Sequence, residues 1–228
     1  MDLNVNQLVQ TLAIYALPVL FAITLHEAAH GYVARHFGDM TAHAQGRISL
    51  NPVRHVDAVG TIVVPLVILL LSGNKFLFGW AKPVPVNFSA LKKPRQHMAW
   101  VAAAGPGVNL AMALGWAILL KLSVELSRNL HNPLVQMAIA GVVVNIVLMV
   151  INLLPILPLD GGRIVAGILP RRLSRQYSKA ERWGGYLLLA FIIASVADAQ
   201  LADGRYLGRL FAPLGDLIET LVRAIVNL

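Results

Sequence analysis

Leu25-His26-Glu27-Ala28-Ala29-His30-Gly31 closes a run of 24 residues, Leu3–His26, without an Asp, Glu, Lys or Arg. A helix needs about 20 apolar residues to cross a hydrocarbon core. A metal-ligand pattern therefore stands at the end of a stretch long enough to span a bilayer. His26 and His30 are one helical turn apart, so both imidazoles face the same side and can grip one ion. Glu27 lies beside them, where a carboxylate can take a proton from a metal-activated water.

Working outward, the uncharged runs His97–Leu120 and Asn132–Leu159 pass the same length test. Trp183–Ala197 has 15 residues and needs its flanks, or local thinning of the bilayer, to cross. The chain is 57% hydrophobic and 13% charged, whereas soluble chains carry about 25% charged residues. Runs of this length in so small a chain are not the buried helices of a soluble core. The expected fold is an all-α polytopic membrane protein, a bundle of about four to six transmembrane helices with a small interfacial β segment or re-entrant loop.

The expected elements follow in order. A first helix covers residues 3–32, with Pro18 as a tolerated kink. The polar stretch 41–52, stopping at Asn51-Pro52, reads as a short strand or hairpin. Ala58–Ser72 is interrupted by Gly60 and Pro65 and reads as re-entrant or surface-lying. Pro83 and Pro85 forbid helix and favour extended chain. Helices follow over 97–120, rich in small residues that let membrane helices approach, over 133–154, and from about Trp183. After Pro213 the apolar positions recur with helical spacing, giving an amphipathic helix on the membrane or against the bundle. Residues 1–197 read as one intramembrane domain, and 198–228 as a C-terminal tail.

The first run begins Met1-Asp2, lacks a basic leader and continues into the histidines, so it reads as retained and not as a signal peptide. The net charge of +8 sits at the margins of the apolar runs. That distribution sets membrane orientation and is no nucleic-acid surface. Residues 73–96 hold five Lys or Arg and no acid, and 155–182 hold six against two. Both segments are expected on the cytoplasmic side of the cell membrane, with the active site near that face. The chain has no cysteine, so a metal must use histidine and carboxylate ligands.

Asp160 is the best third ligand among the acids, since it follows an uncharged run at a Pro/Gly-rich break, Leu157-Pro158-Leu159-Asp160-Gly161-Gly162-Arg163. A carboxylate at membrane depth is costly unless it is paired or bound. Its alternative role is a helix cap or a salt bridge to Arg163. Glu27 reads as general base and then proton donor to the leaving amine, or as a group that orients a ligand. Asn152 offers a donor to a carbonyl or developing oxyanion, or a bond to another helix. Asn109 and Asn145 read as helix–helix contacts, and His36, His43 and His55 as loop polar groups.

His26-Glu27-Ala28-Ala29-His30, then Ala104-Gly105-Pro106, then Asn152-Leu153-Leu154-Pro155-Ile156-Leu157-Pro158-Leu159-Asp160-Gly161-Gly162-Arg163 resemble, in order, membrane setting and spacing, the site-2 protease family of intramembrane zinc metalloproteases, peptidase family M50. The resemblance covers about residues 8–170 and is to a compact bacterial-type member with neither PDZ nor CBS domain. It implies one zinc ion per chain on His26, His30 and Asp160, with Glu27 activating water and Asn152 orienting the substrate. It also implies transmembrane proteins as substrates, met within the lipid bilayer, and no nucleic-acid partner. Two other classes remain to be weighed: a catalytically silent membrane scaffold or chaperone of the same fold, and a membrane metal transporter.

Overall fold

Val5–His36 forms one continuous helix, α1, of 32 residues, roughly 48 Å at 1.5 Å per residue and so longer than a bilayer core. The computed structural model describes residues 5–71, 79–127, 132–202 and 204–227. Residues 72–78, with Lys75 of the first basic segment, and 128–131 of the neutral link lie outside them. Pro18 sits within α1 without ending it. The helix stops at Gly38, whose φ of +107° only glycine adopts at no steric cost. There Asp39 N–H reaches back to Ala34 O and Gly38 N–H to Arg35 O, closing the last carbonyls.

Three more helices are long and apolar enough to cross a membrane. These are α4 (Pro94–Ser127), α5 (Pro133–Asn152) and, beyond the shorter α6 (Asp160–Ile168) and α7 (Arg171–Ser178), α8 (Glu181–Leu201). α1, α4 and α8 outrun the uncharged segments that predict them, because charged residues continue each helix past the apolar core, whereas α5 stops at Asn152, short of the end of its uncharged run at Leu159. The 15-residue run is the clearest case: Glu181, Arg182 and Asp198 extend α8 to 21 residues, roughly 31 Å. The chain is a helical membrane protein.

The fold class stands, but residues 41–52 do not pair as strand or hairpin, and no strand occurs among the described residues. Thr41–Ala44 is a helical turn, α2, started by Asp39 Oδ1, which accepts from Thr41 N–H at 2.9 Å. Asn51 Oδ1 accepts from Val53 N–H and starts a 3-10 turn over Pro52–His55. Side-chain oxygens thus supply the partners that a neighbouring strand would have supplied. Ala58–Val63 is π-helical and runs into α3 (Val64–Leu71). With six and eight residues, the two together fall short of a comfortable crossing.

α4 is the axis of the bundle, packed on α1, α5 and α6. Ala113 and Ala117 from α4 and Val142, Ile146, Met149 and Val150 from α5 form its largest buried cluster. The C-terminal α9 (Arg205–Val226) lays Leu214, Ile218, Leu221, Val222 and Ile225 against that cluster, while Leu210 and Leu217 stay exposed. Asp198, the first residue of the expected tail, lies inside α8.

Candidate metal centre

The upper end of α1 carries His26, Glu27 and His30 into the angle between α4 and the start of α6. The first two carbonyl-binding partners come from α4. His30 Nδ1 lies 2.7 Å from Val101 O, and His26 Nδ1 lies 2.6 Å from Asn109 Oδ1. A carbonyl can only accept, so His30 Nδ1 carries a proton, and in the neutral ring its Nε2 presents a lone pair.

The same logic fixes His26 through a chain of two asparagines. Gly141 O accepts from Asn145 Nδ2 at 2.8 Å, which turns Asn145 Oδ1 toward Asn109. Asn109 Nδ2 donates to that oxygen at 2.9 Å, which turns Asn109 Oδ1 toward His26. His26 Nδ1 must therefore be the donor, which leaves its Nε2 bare in the neutral ring as well. Asn109 and Asn145 are fully buried. They do join helices, as expected, but they also orient the His26 imidazole, a role that helix-contact reasoning missed.

Asp160 comes to the same point by a tight turn. α5 ends at Asn152, the chain folds through Leu153–Leu159, and Asp160 opens α6, where the helix N-terminus favours a carboxylate. Gly161 makes the turn feasible, since a Cβ there would stand 2.2 Å from Leu153 O. Asp160 Oδ2 lies 3.2 Å from His26 Nε2 and 3.4 Å from His30 Nε2, and the two Nε2 atoms are 3.1 Å apart. Among the described residues this is the one group of three or more such side chains able to hold an ion.

Three lone-pair atoms facing each other repel unless a metal cation lies among them or a proton bridges a histidine to Asp160. Asp160 Oδ2 is buried and accepts no hydrogen bond. Ligand atoms about 2.0–2.2 Å from a tetrahedral zinc lie roughly 3.3–3.6 Å apart, which matches the triangle to within a few tenths of an ångström. The donor set of two neutral imidazoles and one carboxylate suits zinc. Gly105 on α4 keeps the space open: a Cβ there would meet His26 Nε2 and His30 Nε2, both at 2.6 Å.

Glu27 is not part of the triangle. Its Oε2 accepts from Val84 N–H at 2.7 Å, so the carboxylate is held by the extended segment that Pro83 and Pro85 enforce. That segment is itself fixed on several sides. Arg47 Nη2 donates to Lys82 O and Pro83 O, Lys82 N–H donates to His55 O, and Asn87 N–H donates to Asp39 Oδ2. No hydrogen bond reaches the N–H or C=O of Val86 among the described residues. Only the two prolines signalled this arrangement in the sequence.

Asn152 is half-buried at the end of α5 and turns its Nδ2 back to Leu148 O at 3.0 Å. No hydrogen bond joins it to the three convergent residues. His55 is buried with Nε2 2.8 Å from Ser49 O, a loop polar group as expected, and His36 and His43 are exposed.

The similarity to known proteins agrees with this geometry. Residues 123–195, which include the Asp160 turn, match the family model for peptidase family M50. Over 184 residues the chain is 38% identical to "Putative zinc metalloprotease YwhC" of Bacillus subtilis (strain 168), covering 79% of this chain and 80% of that protein. It is 30% identical over 179 residues to "Putative zinc metalloprotease Rip2" of Mycobacterium tuberculosis (strain ATCC 25618 / H37Rv), covering 77% of this chain and 64% of the relative. The Rip2 of Mycolicibacterium smegmatis (strain ATCC 700084 / mc(2)155) is 26% identical over 178 residues, 76% of this chain and 64% of the relative. No solved structure gives a significant match.

Proposed function

We propose that this chain, which belongs to peptidase family M50 and is a membrane-embedded metalloprotease, cuts peptide bonds within the transmembrane segments of other proteins. The observation that carries the reading is the convergence of three bare ligand atoms at the end of a spanning helix. A soluble protease has no reason to bury its ligands among helices whose outer faces are Leu, Ile and Val.

His26, His30 and Asp160 would hold one zinc ion per chain. The metal, when bound, supplies Lewis acidity toward water and toward the scissile carbonyl. Glu27 then takes the proton of the attacking water and returns it to the leaving amine. The Val84 N–H keeps the Glu27 carboxylate oriented for both transfers. Asn152 orients the scissile carbonyl by giving up its bond to Leu148 O, an exchange of one acceptor for another.

A peptide bond in a helix is shielded by its own backbone bonds, so the substrate must unwind before it is cut. Its freed amides need partners, because each unsatisfied group in lipid costs several kcal/mol. The open backbone groups at Val86, next to the segment that holds Glu27, offer an edge to such a strand. The Lys and Arg excess of residues 73–96 and 155–182 supports a setting for this end of the bundle at the cytoplasmic face of the cell membrane.

Cleavage of single-span proteins reconstituted with the wild-type enzyme tests the reading. The cuts are expected inside the transmembrane segment, and a Gly or Pro placed near the cut is expected to speed them by easing unwinding. Cuts confined to the aqueous tails, or equal rates across substrates differing only in local helix propensity, would contradict it.

A further inference from the structure

Arg171, Arg172, Arg175 and Lys179 form one exposed basic patch along α7, and none of them pairs with a carboxylate among the described residues. Arg171, Arg175 and Lys179 follow at four-residue intervals, so like charges stack on one face and destabilise the helix in isolation. The opposite face is pinned to the protein. Ser174 Oγ donates to Ala166 O at 2.6 Å, and Tyr177 Oη donates to Pro155 O at 2.7 Å. The helix therefore cannot roll to bury or disperse its charge, and the cations are held outward by design of the inner face.

The surroundings fix the level of this face relative to the bilayer. α8 begins three residues beyond α7, and its first turns carry Trp183 and Tyr186, 55% and 68% exposed. Exposed Trp and Tyr at the end of a span mark the headgroup layer. The Arg182 guanidinium lies over the Trp183 ring at 5.6 Å. Leu173, within the same helix, and Ile168, at the end of α6, are exposed apolar side chains of this segment. A cationic face beside apolar side chains, at headgroup depth, complements a lipid that carries a phosphate and acyl chains together.

We infer that the outer face of α7 is a binding site for the phosphate headgroup of an anionic lipid, contacted by Arg171, Arg172, Arg175 and Lys179. Such a headgroup would neutralise the stacked cations and hold α7 at the interface. Through Tyr177 and Ser174 it would also brace the two segments that flank the Asp160 turn and the end of α6.

Native mass spectrometry of the full chain in nonionic detergent, with phosphatidylglycerol or phosphatidylcholine of matched acyl chains, tests this. Each basic residue near an anionic surface contributes about fivefold to partitioning, so the variant Arg171→Ala/Arg172→Ala/Arg175→Ala should bind phosphatidylglycerol roughly a hundredfold more weakly. The variant Lys121→Ala/Arg205→Ala/Arg209→Ala removes the same charge elsewhere and should bind within about twofold of wild type. Phosphatidylcholine should be held weakly by all three. If the alanine variant fails to retain zinc, the corresponding Arg→Gln variant, which keeps the side-chain stems, is expected to show the same loss of lipid. Equal weakening in the two charge-matched variants would overturn the site. So would glycerol phosphate or a polyglutamate peptide binding wild type as tightly as phosphatidylglycerol does.

Discussion

Asn109 and Asn145 meet side chain to side chain at 2.9 Å in the middle of the bundle, and neither exposes any surface. The bond has a direction, set at one end by Gly141 O and felt at the other by His26. A polar pair that could have been a simple clasp between α4 and α5 thus decides which nitrogen of His26 faces His30 and Asp160. Partners of this kind fix the tautomer and ring orientation of ligating histidines, and their loss costs about 10–100-fold in metal affinity.

Asn109→Leu should accordingly weaken zinc binding by about 10–100-fold, read by competition with a chelator of known affinity. Asn145→Leu should weaken it in the same direction but less, because Asn109 keeps its place and loses only the partner that orients it. Unchanged affinity in Asn109→Leu would separate the asparagine pair from the metal.

Gly105→Ala puts a methyl within 2.6 Å of both Nε2 atoms, where no flexible chain end can give way. The variant should keep its helical content by circular dichroism and lose its zinc. Wild-type zinc content in a folded Gly105→Ala protein would mean that the site is not where the histidines and Asp160 converge.

Val84→Pro removes the one N–H that Glu27 accepts and leaves the extended conformation allowed between two prolines. Hydrogen bonds to charged groups are worth about 1.5–3 kcal/mol, so kcat should fall roughly 10–100-fold with little change in KM. Val84→Ala keeps the N–H and should retain most of the activity. Equal losses in the two variants would assign the effect to the Val84 side chain, which packs on Gly31.

Much of this was legible in the sequence, for physical reasons that differ from residue to residue. His26 and His30 declare themselves because helical spacing alone puts them on one face. Asp160 declares itself because an acid at the end of an apolar run is too costly to be idle. The spans are readable as uncharged runs, yet their ends are not, since a helix continues through Glu181 or Arg35 once packing supports it. Residues 41–52 were misread because Asp39 and Asn51 satisfy backbone N–H groups that a strand partner would otherwise have to satisfy. The Val84–Glu27 bond joins positions 57 apart, and nothing local to either residue announces it.

Ser89 is exposed in the basic segment between the π/α helix and α4. Because the chain has no cysteine, Ser89→Cys gives a single labelling position. It should be protected from an impermeant thiol reagent in intact cells and labelled once the membrane is opened. Labelling from outside would reverse the orientation drawn from the Lys and Arg distribution.

The central claim is that His26, His30 and Asp160 hold the metal while Glu27 moves the proton, and one paired measurement separates these roles. Zinc content and cleavage rate should be determined on the same preparations of wild type, Glu27→Gln and His26→Ala/Asp160→Ala. The account predicts that Glu27→Gln keeps one zinc per chain and loses at least about a hundredfold in rate, and that the double variant loses both. A Glu27→Gln enzyme that still turns over near the wild-type rate, or a double variant that retains its zinc, would contradict it.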